Sequence, residues 1–347
     1  KKIKINKLNF LHFLILLFLT SIFVNILSLS RGYSIYNGNA IIRTDAGIKY
    51  YENEQISFDD IVIQKGQFIS DERKSTLGLP DEISSSFERL TLGRALTGIT
   101  LYIGTEYLKL FFILFSILGA GILPFRWFFR ENNLKNIIFS FGLGTVIFSG
   151  ILFIFARFSY LNFATVSIIT GIFFIVALSQ FRKLWAIIKE TGIEKKDITT
   201  NSLILIYSLA IFLSWNFSES MEPLPIGFDD ASLYLNLPNL IAHFGSLIGN
   251  NGFYAFGLIQ GAAEILDFQG GLKKILVTAF GTLSIFPMYL ILREFFDKKY
   301  SILGVAVLFL TPTIFVHNFL QIKLEMPLVF FGTSSIYATL LWIKEKN

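Results

Sequence analysis

Long apolar runs separated by short polar connections dominate the hydrophobic pattern of this 347-residue chain. A helix needs about 20 mainly apolar residues to cross a bilayer core of about 30 Å. The pattern predicts about eight transmembrane helices, near residues 8–29, 106–125, 136–156, 160–181, 202–217, 271–292, 301–317 and 326–343. We therefore expect an all-α polytopic membrane protein.

The first apolar run allows two interpretations. It follows the basic stretch Lys1-Lys2-Ile3-Lys4, and Ser28-Leu29-Ser30 resembles a small-x-small cleavage site. Both features are found in secretory signal peptides. The apolar stretch is, however, longer than a usual signal-peptide core. This length favours a membrane anchor over residues 1–30, with cleavage as the alternative.

Two polar segments are long enough to form structure outside the membrane. Residues 31–105 carry both charge signs, and the runs "NAIIRTDAGIKYY" and "DIVIQKGQFIS" alternate approximately between apolar and polar residues. Such alternation is typical of strands, while "DEISSSFERLTLGRALTGITL" has a more helical pattern. We expect a small external α/β insert here. A second polar connection covers residues 218–270 and separates spans two to five (106–217) from spans six to eight (271–347).

The distribution of Lys and Arg predicts the orientation of the chain. Basic residues concentrate in the N-terminal tail, in the connections after the second, fourth and sixth spans, and at the C-terminal end. With eight spans, all five regions lie on one side, which the positive-inside rule assigns to the cytoplasm. The N-terminus is then cytoplasmic, and segments 31–105 and 218–270 are external to the plasma membrane. The exceptions near the other face are Arg157, Lys273, Lys274 and Lys323.

Composition narrows the function classes. The chain is 53% hydrophobic and 16% charged, whereas soluble domains average about 25% charged. There is no cysteine and there are only three histidines, so thiolate metal sites are excluded and histidine-based ones are disfavoured. The net charge of +5 follows from the cytoplasmic basic residues and requires no nucleic-acid partner. The absence of Cys and the Ile-, Lys- and Phe-rich composition favour a bacterial envelope protein. The start at Lys1 and the charged end at Asn347 suggest a fragment of a longer protein.

The second external segment contains an acidic pair in the stretch "PIGFDDASLYLNLPNLIAHFGSL", residues 225–247. Asp229 takes an N-cap position after a Pro-x-Gly turn, and Asp230 the first helical turn. An apolar stripe at helical spacing follows: Leu233, Leu237, Leu240, Ile241 and Phe244. Pro238 predicts a kink or two short pieces, and Gly245 a helix end. A short amphipathic helix of this kind lies along a membrane surface.

The acidic pair has a structural and a chemical interpretation. As an N-cap, Asp229 would contribute about 1 kcal/mol, and Asp230 would complement the helix dipole. Carboxylates beside hydrocarbon are costly unless used, and a carboxylate can remove the proton of a hydroxyl. Spacing alone leaves both interpretations open.

A further acid, Glu325, precedes the eighth span in "KLEMPLVFF", residues 323–331. Taken alone, Glu325 is most simply a charge at a helix start, since Pro327 is tolerated in a first turn. Lys323 and His317 lie in or beside the same external connection. Two acidic sites and two basic or titratable groups are thus predicted on one face of the membrane.

The stretch 225–247 resembles the first external loop of the GT-C membrane glycosyltransferases, which include dolichyl-phosphate-mannose protein mannosyltransferases and aminoarabinose transferases. In that family an acidic pair is followed by a Tyr and then by a Gly that ends a surface helix. Asp229, Asp230, Tyr234 and Gly245 occupy those places in this sequence.

Two later stretches extend the resemblance. "KLEMPLVFF" is similar to the family's later external loop, with Glu325, Pro327 and Leu328 matching the pattern acid-x-Pro-Leu. "GLIQGAAEIL", 257–266, resembles the segment between the two loops, which often carries Gly and Glu. The resemblance covers about residues 218–343. The chain departs from the family in having five spans and an insert before the acidic loop, and Lys323 where Arg is common.

The resemblance implies transfer of a sugar from a polyprenyl phosphate to a glycan, lipid or protein acceptor. Asp229 would be the general base, and Asp230 would position the acceptor or a divalent cation. Glu325 would be a second acid lining the cavity, and Tyr234 would contact substrate. The groups expected to face the phosphate are Lys323 and, with less support, His317. Lys273 and Lys274 are alternative phosphate contacts, or lysines that snorkel to headgroups. No cofactor is required, and the need for a divalent cation stays open.

Two other classes of function remain. A transporter or lipid flippase would carry ionisable residues inside its spans and broken helices. We expect almost no charge inside the spans, although Gly142 and Gly144 in "FGLGTV" could mark a broken helix. A non-catalytic envelope assembly or sensor protein would instead work through the 31–105 insert.

Overall fold

The computed structural model describes a largely helical chain. The described residues are 7–29, 39–44, 47–52, 56–58, 61–63, 92–128, 134–190, 192–194, 200–220, 234, 236–247, 254–266, 272–311 and 324–346. The helices are α1 (Phe10–Leu29), α2 (Leu92–Phe128), α3 (Leu134–Arg157), α4 (Phe163–Ser179), α5 (Phe181–Glu190), α6 (Thr200–Ser220), α7 (Asn236–Phe244), α8 (Tyr254–Ile265), α9 (Leu272–Leu283), α10 (Ile285–Arg293), α11 (Lys298–Phe309) and α12 (Glu325–Lys346).

Short strands form three separate antiparallel pairs. They are β1 (Lys7–Asn9), β2 (Asn39–Thr44), β3 (Gly47–Glu52), β4 (Ile56–Phe58), β5 (Ile61–Ile63) and β6 (Gly192–Glu194). β2 pairs with β3, β4 with β5, and β1 with β6. The β2–β3 hairpin falls on the first run that alternation predicted as strand. All of segment 64–91 lies outside the described residues, so a folded external α/β insert remains a prediction.

Four described segments are long and apolar enough to cross a membrane: Gly104–Pro124, Leu134–Arg157, Ile275–Arg293 and Glu325–Glu345. The bent pair of α4 and α5 adds a fifth if it is one broken span. Shorter apolar helices cover Ile15–Val24, Ala255–Ile265 and Tyr300–Phe309. The described helices therefore fit a multi-pass membrane protein, while the count of eight spans stays a prediction.

Helix bounds differ from the predicted ones in three places. α2 begins at Leu92, before the predicted start of span two and within the stretch "DEISSSFERLTLGRALTGITL" that has a helical pattern. α11 ends at Phe309, and the remainder of the predicted 301–317 span lies largely outside the described residues. The fourth span ends at Ser179, where the chain bends by 59° into α5.

Glycines let α2 pack closely against both α3 and α4. A Cβ on Gly144 of α3 would lie 1.9 Å from the carbonyl oxygen of Ile117 in α2, and one on Gly121 would lie 1.7 Å from that of Ser140. On the other side of α2, a Cβ on Gly119 would lie 1.9 Å from the carbonyl oxygen of Phe173 in α4. Small residues allow such backbone approach, which is how membrane helices gain packing energy.

The same packing answers the prediction of a broken third span. α3 runs without interruption from Leu134 to Arg157. Gly144 is required there by the close approach of α2, and a Cβ on Gly142 would meet only the ring of Phe330, at 4.0 Å. These glycines serve helix packing and do not break α3.

The outer surface of the bundle is apolar. Large side chains on α3 and α4 are more than half exposed, among them Val146 (61%), Ile168 (61%) and Ile175 (66%). Soluble monomers rarely expose contiguous apolar patches of this kind. Lipid is the environment that these helices fit.

Contacts between connections show which helix ends lie together. β1, just before α1, pairs with β6, just after α5, with Lys7 opposite Glu194. Lys344 near the end of α12 donates to Glu294, which follows α10. At another place the backbone N–H of Leu161, in the α3–α4 turn, donates to the carbonyl oxygen of Gly245 after α7 (3.2 Å).

Candidate functional site

The helix that follows the acidic pair packs on α8 through two glycines. A Cβ on Gly261 would lie 3.1 Å from Cγ2 of Ile241 in α7, and one on Gly257 would lie 3.6 Å from Cδ2 of Leu237. Leu237 (8% exposed) and Ile241 (0%) are buried in this contact. The glycines of the "GLIQGAAEIL" stretch therefore provide a groove for the short helix.

Two of the four described residues of the predicted apolar stripe face the protein, and Leu233 lies outside the described residues. Leu237 and Ile241 are buried, whereas Leu240 and Phe244 are 41% and 59% exposed. Apolar residues on the outward side agree with a helix that also contacts lipid. α7 begins at Asn236, so Pro238 lies in its first turn, where the missing N–H leaves no helical bond unmade.

Gly245 ends α7 as the sequence predicts and fixes the helix to the neighbouring turn. Its φ of +62° is in the left-handed region that favours glycine. A Cβ at this position would lie 2.6 Å from the carbonyl oxygen of Leu161. The N–H of Leu247 also donates to the carbonyl oxygen of Ala156 (3.4 Å). The C-terminal end of α7 is thereby held at the C-terminal end of α3.

Glu325 is the first residue of α12 and is solvent-exposed. A carboxylate in the first turn is favoured by the helix dipole. The residues after it are buried, with Met326 at 2% and Phe330 at 1% exposure. Pro327 occupies the first turn, as the sequence predicts. The start of α12 is therefore fixed by packing, while Glu325 itself stays accessible.

A cluster of phenylalanine rings joins the helices of the two acidic segments. Phe280 of α9 lies 5.0 Å from Phe256 of α8, 5.8 Å from Phe330 of α12 and 5.2 Å from Phe141 of α3, measured between ring centroids. Tilted and edge-on ring pairs at these distances add stabilisation beyond area burial. α8, which carries α7, and α12, which carries Glu325, are thus parts of one packed unit.

Several predicted site residues fall outside the described part of the chain. These are Asp229, Asp230, His317 and Lys323. Lys273 and Lys274 lie in the first turn of α9, but their side chains are not among the described parts of the structure. Tyr234 is partly buried and packs against the hydrophobic core. The roles of these residues stay predictions.

Within the described ranges, no group of three or more His, Asp or Glu side chains could hold a metal ion. The acidic pair at 229–230 is not part of those ranges. The divalent cation that the resemblance leaves open is therefore still a prediction.

The expectation of nearly charge-free spans was wrong at α2. Glu106 lies within the apolar segment Gly104–Pro124 and is 2% exposed. Its Oε1 accepts from Nζ of Lys109 at 2.7 Å, while Oε2 is buried without a hydrogen-bond partner. Glu106 is tolerated there because Lys109, one turn on, compensates its charge. The signal was present in the sequence as two charges three residues apart inside a predicted span.

Comparison with known proteins gives no relative for this chain. No family model matches it, and neither a curated protein nor a solved structure matches it.

Proposed function

We propose that this chain is a membrane glycosyltransferase of the GT-C type. It would move a sugar from a polyprenyl-phosphate donor to an acceptor at the external membrane face. The observation that carries the proposal is the packing into one unit of the helix that follows the acidic pair and the helix that begins at Glu325. α7 rests on α8, α12 begins at Glu325, and rings of α8, α9 and α12 meet at Phe280.

The proposal includes eight membrane spans: α1, α2, α3, α4, α6, the α9–α10 pair, α11 and α12. Two segments that touch must lie on the same side of the membrane, so an even number of spans must separate them. β1 and β6 are separated by four of these spans, and the Leu161–Gly245 and Glu294–Lys344 contacts by two each. All three contacts support the span count, including α1 as a retained anchor.

Contacts of α1 also support its retention. Oγ of Ser214 in α6 donates to the carbonyl oxygen of Leu17 at 3.0 Å, and Ser21 and Tyr107 of α2 share a 3.0 Å hydrogen bond. Ser21 and Ser214 are both fully buried. A signal peptide that is cleaved and lost would remove both of these hydrogen bonds.

The proposed chemistry assigns one role to each group. The Asp229 carboxylate removes the acceptor proton as the acceptor oxygen or nitrogen attacks the anomeric carbon, and the polyprenyl phosphate leaves. Asp230 positions the acceptor or a divalent cation, and Glu325 lines the cavity. Lys323, with His317, faces the leaving phosphate. Because the donor carries a lipid tail, the reacting atoms belong at the bilayer surface, where α7 offers apolar side chains to lipid.

Replacement of Asp229 by Asn tests the proposed base. Base catalysis contributes roughly 10²–10⁴-fold, so Asp229→Asn should lose that factor in turnover of undecaprenyl-phosphate-linked glucose, mannose or aminoarabinose. The assay is release of undecaprenyl phosphate by the purified chain in proteoliposomes. Asp59→Asn is the matched control, since Asp59 also precedes a second Asp but lies in the external insert. Equal turnover by the two variants would remove Asp229 from the mechanism.

Glu106 supports one alternative, a transporter or lipid flippase. A buried carboxylate inside a span, with one oxygen unpartnered, is the feature that such proteins use in transport pathways. If the chain has that function, the wild type moves a fluorescent lipid between leaflets and transfers no sugar. Glu106→Gln would then abolish the lipid movement. For the transferase, Glu106→Gln would leave turnover within a few-fold of the wild type.

A further inference from the structure

The fourth span ends in a short helix with a different character. α5 leaves α4 at an angle of 59°. At the bend, the carbonyl oxygen of Gln180 accepts from the N–H groups of Lys183 and Leu184 at 2.9 and 3.0 Å. At 1.5 Å per residue, the ten residues of α5 advance along the α4 axis by about 8 Å. This is close to the thickness of one headgroup layer, about 5–8 Å.

The faces of α5 differ in chemistry. Leu184 (7%) and Ile187 (9%) are buried against the protein, while Arg182 and Lys183 are exposed. Phe181 and Trp185 are 43% and 40% exposed and stack with their ring centroids 5.8 Å apart. An apolar face, exposed basic side chains and aromatic rings at the boundary define an interfacial helix.

The β1–β6 ladder joins the N-terminal segment of the chain to the segment that follows α5, with Lys7 opposite Glu194. Residues 1–9 and 181–197 together contain nine Lys or Arg residues and three Asp or Glu residues. The ladder therefore joins two segments that are far apart along the chain and are both rich in Lys and Arg in the sequence.

We propose that α5 lies in the headgroup layer and binds anionic phospholipid, with Arg182 and Lys183 contacting lipid phosphates. Charge complementarity selects this partner, because a polybasic segment at a membrane is attracted to anionic lipid by about 1 kcal/mol per basic residue. Phe181 and Trp185 set the depth of the helix, since aromatic rings settle at the level of the headgroups. The proposal does not depend on sugar transfer.

Quenching of Trp185 by brominated lipid tests the proposal. Trp127, Trp215 and Trp342 are replaced by Phe, so that Trp185 is the remaining tryptophan of the full chain. The chain is placed in vesicles of 80 mol% phosphatidylcholine and 20 mol% phosphatidylglycerol. In one set the phosphatidylglycerol carries bromine, and in the other an equal 20 mol% of phosphatidylcholine does. We expect stronger quenching by brominated phosphatidylglycerol.

Charge variants identify the side chains that cause the preference for phosphatidylglycerol. Arg182→Gln with Lys183→Gln should lower the preference for phosphatidylglycerol by about fivefold per charge, and Lys183→Gln alone by about half of that effect on a logarithmic scale. The matched control, Arg182→Lys with Lys183→Arg, keeps both charges and should keep the preference. Equal quenching by the two brominated lipids in the parent chain would overturn the proposal, as would an absence of quenching by either.

Discussion

Replacement of Gly144 by Ala tests the close packing of α2 and α3. A Cβ at Gly144 would lie 1.9 Å from the carbonyl oxygen of Ile117 and 2.9 Å from the backbone N of Gly121. Real Cβ atoms essentially never approach closer than 3.0 Å. The atom in the way belongs to the backbone and cannot rotate aside, so the two helices must move apart.

The expected loss of unfolding free energy comes from the dispersion contacts that this movement weakens. A gap of 0.5–1 Å forfeits a quarter to a half of each dispersion contact. Phe148 and Leu152 of α3 and Ile117 of α2 are fully buried, so their contacts are among those weakened. Overpacking of this kind costs about 1–3 kcal/mol in free energy of unfolding.

The measurement is the free energy of unfolding in mixed micelles, obtained by steric trapping of the full chain. Gly150→Ala is the matched control, because Gly150 lies on the same helix and a Cβ there has nothing within 4 Å. That variant should equal or slightly exceed the wild type, since Ala favours a helix over Gly by up to about 1 kcal/mol. Indistinguishable stabilities for the two variants would refute the close helix contact.

Three further predictions follow from particular contacts. Lys109→Met should cost about 3 kcal/mol because it leaves the Glu106 carboxylate buried and uncompensated, and adding Glu106→Leu should restore most of the unfolding free energy; a double variant as unstable as the single one would contradict this. Ser214→Ala should cost about 0.6 kcal/mol by removing its hydrogen bond to α1, and no change would mean that this bond does not stabilise the contact between α1 and α6. Because the chain has no cysteine, single variants Tyr160→Cys and Ser179→Cys report orientation: an impermeant maleimide should label the first on intact cells and the second only after permeabilisation, and the reverse pattern would place the proposed transferase site in the cytoplasm.

Hydropathy predicts helix positions well here. The length of an apolar run is a local property of the sequence, and the thickness of a bilayer, which that length must match, is fixed. Gly245 could also be predicted, since a left-handed residue after a helix is a local requirement. The bend after Ser179 could not. The apolar pattern runs on from α4 into Phe181. The placement of α5 depends on tertiary contacts, such as that of the Phe181 ring with Phe115 of α2, at 6.4 Å between centroids.

Gly144 and Glu106 show the same limit at the level of single residues. The sequence offered Gly144 as a mark of helix breaking, whereas the structure places it against α2. For Glu106, the sequence shows Lys109 three residues away, but burial depends on the helices around the pair.

The sequence by itself determined that this chain is a helical membrane protein, which residues form the apolar helices, and that acidic residues occupy two separate connections. These properties depend on composition and on periodicity along the chain. Only the tertiary structure decided that α7 rests on α8, that α8 and α12 share the ring cluster around Phe280, and that β1 meets β6. Such contacts join residues far apart in sequence, and they depend on side-chain shape and backbone approach, which no local pattern records.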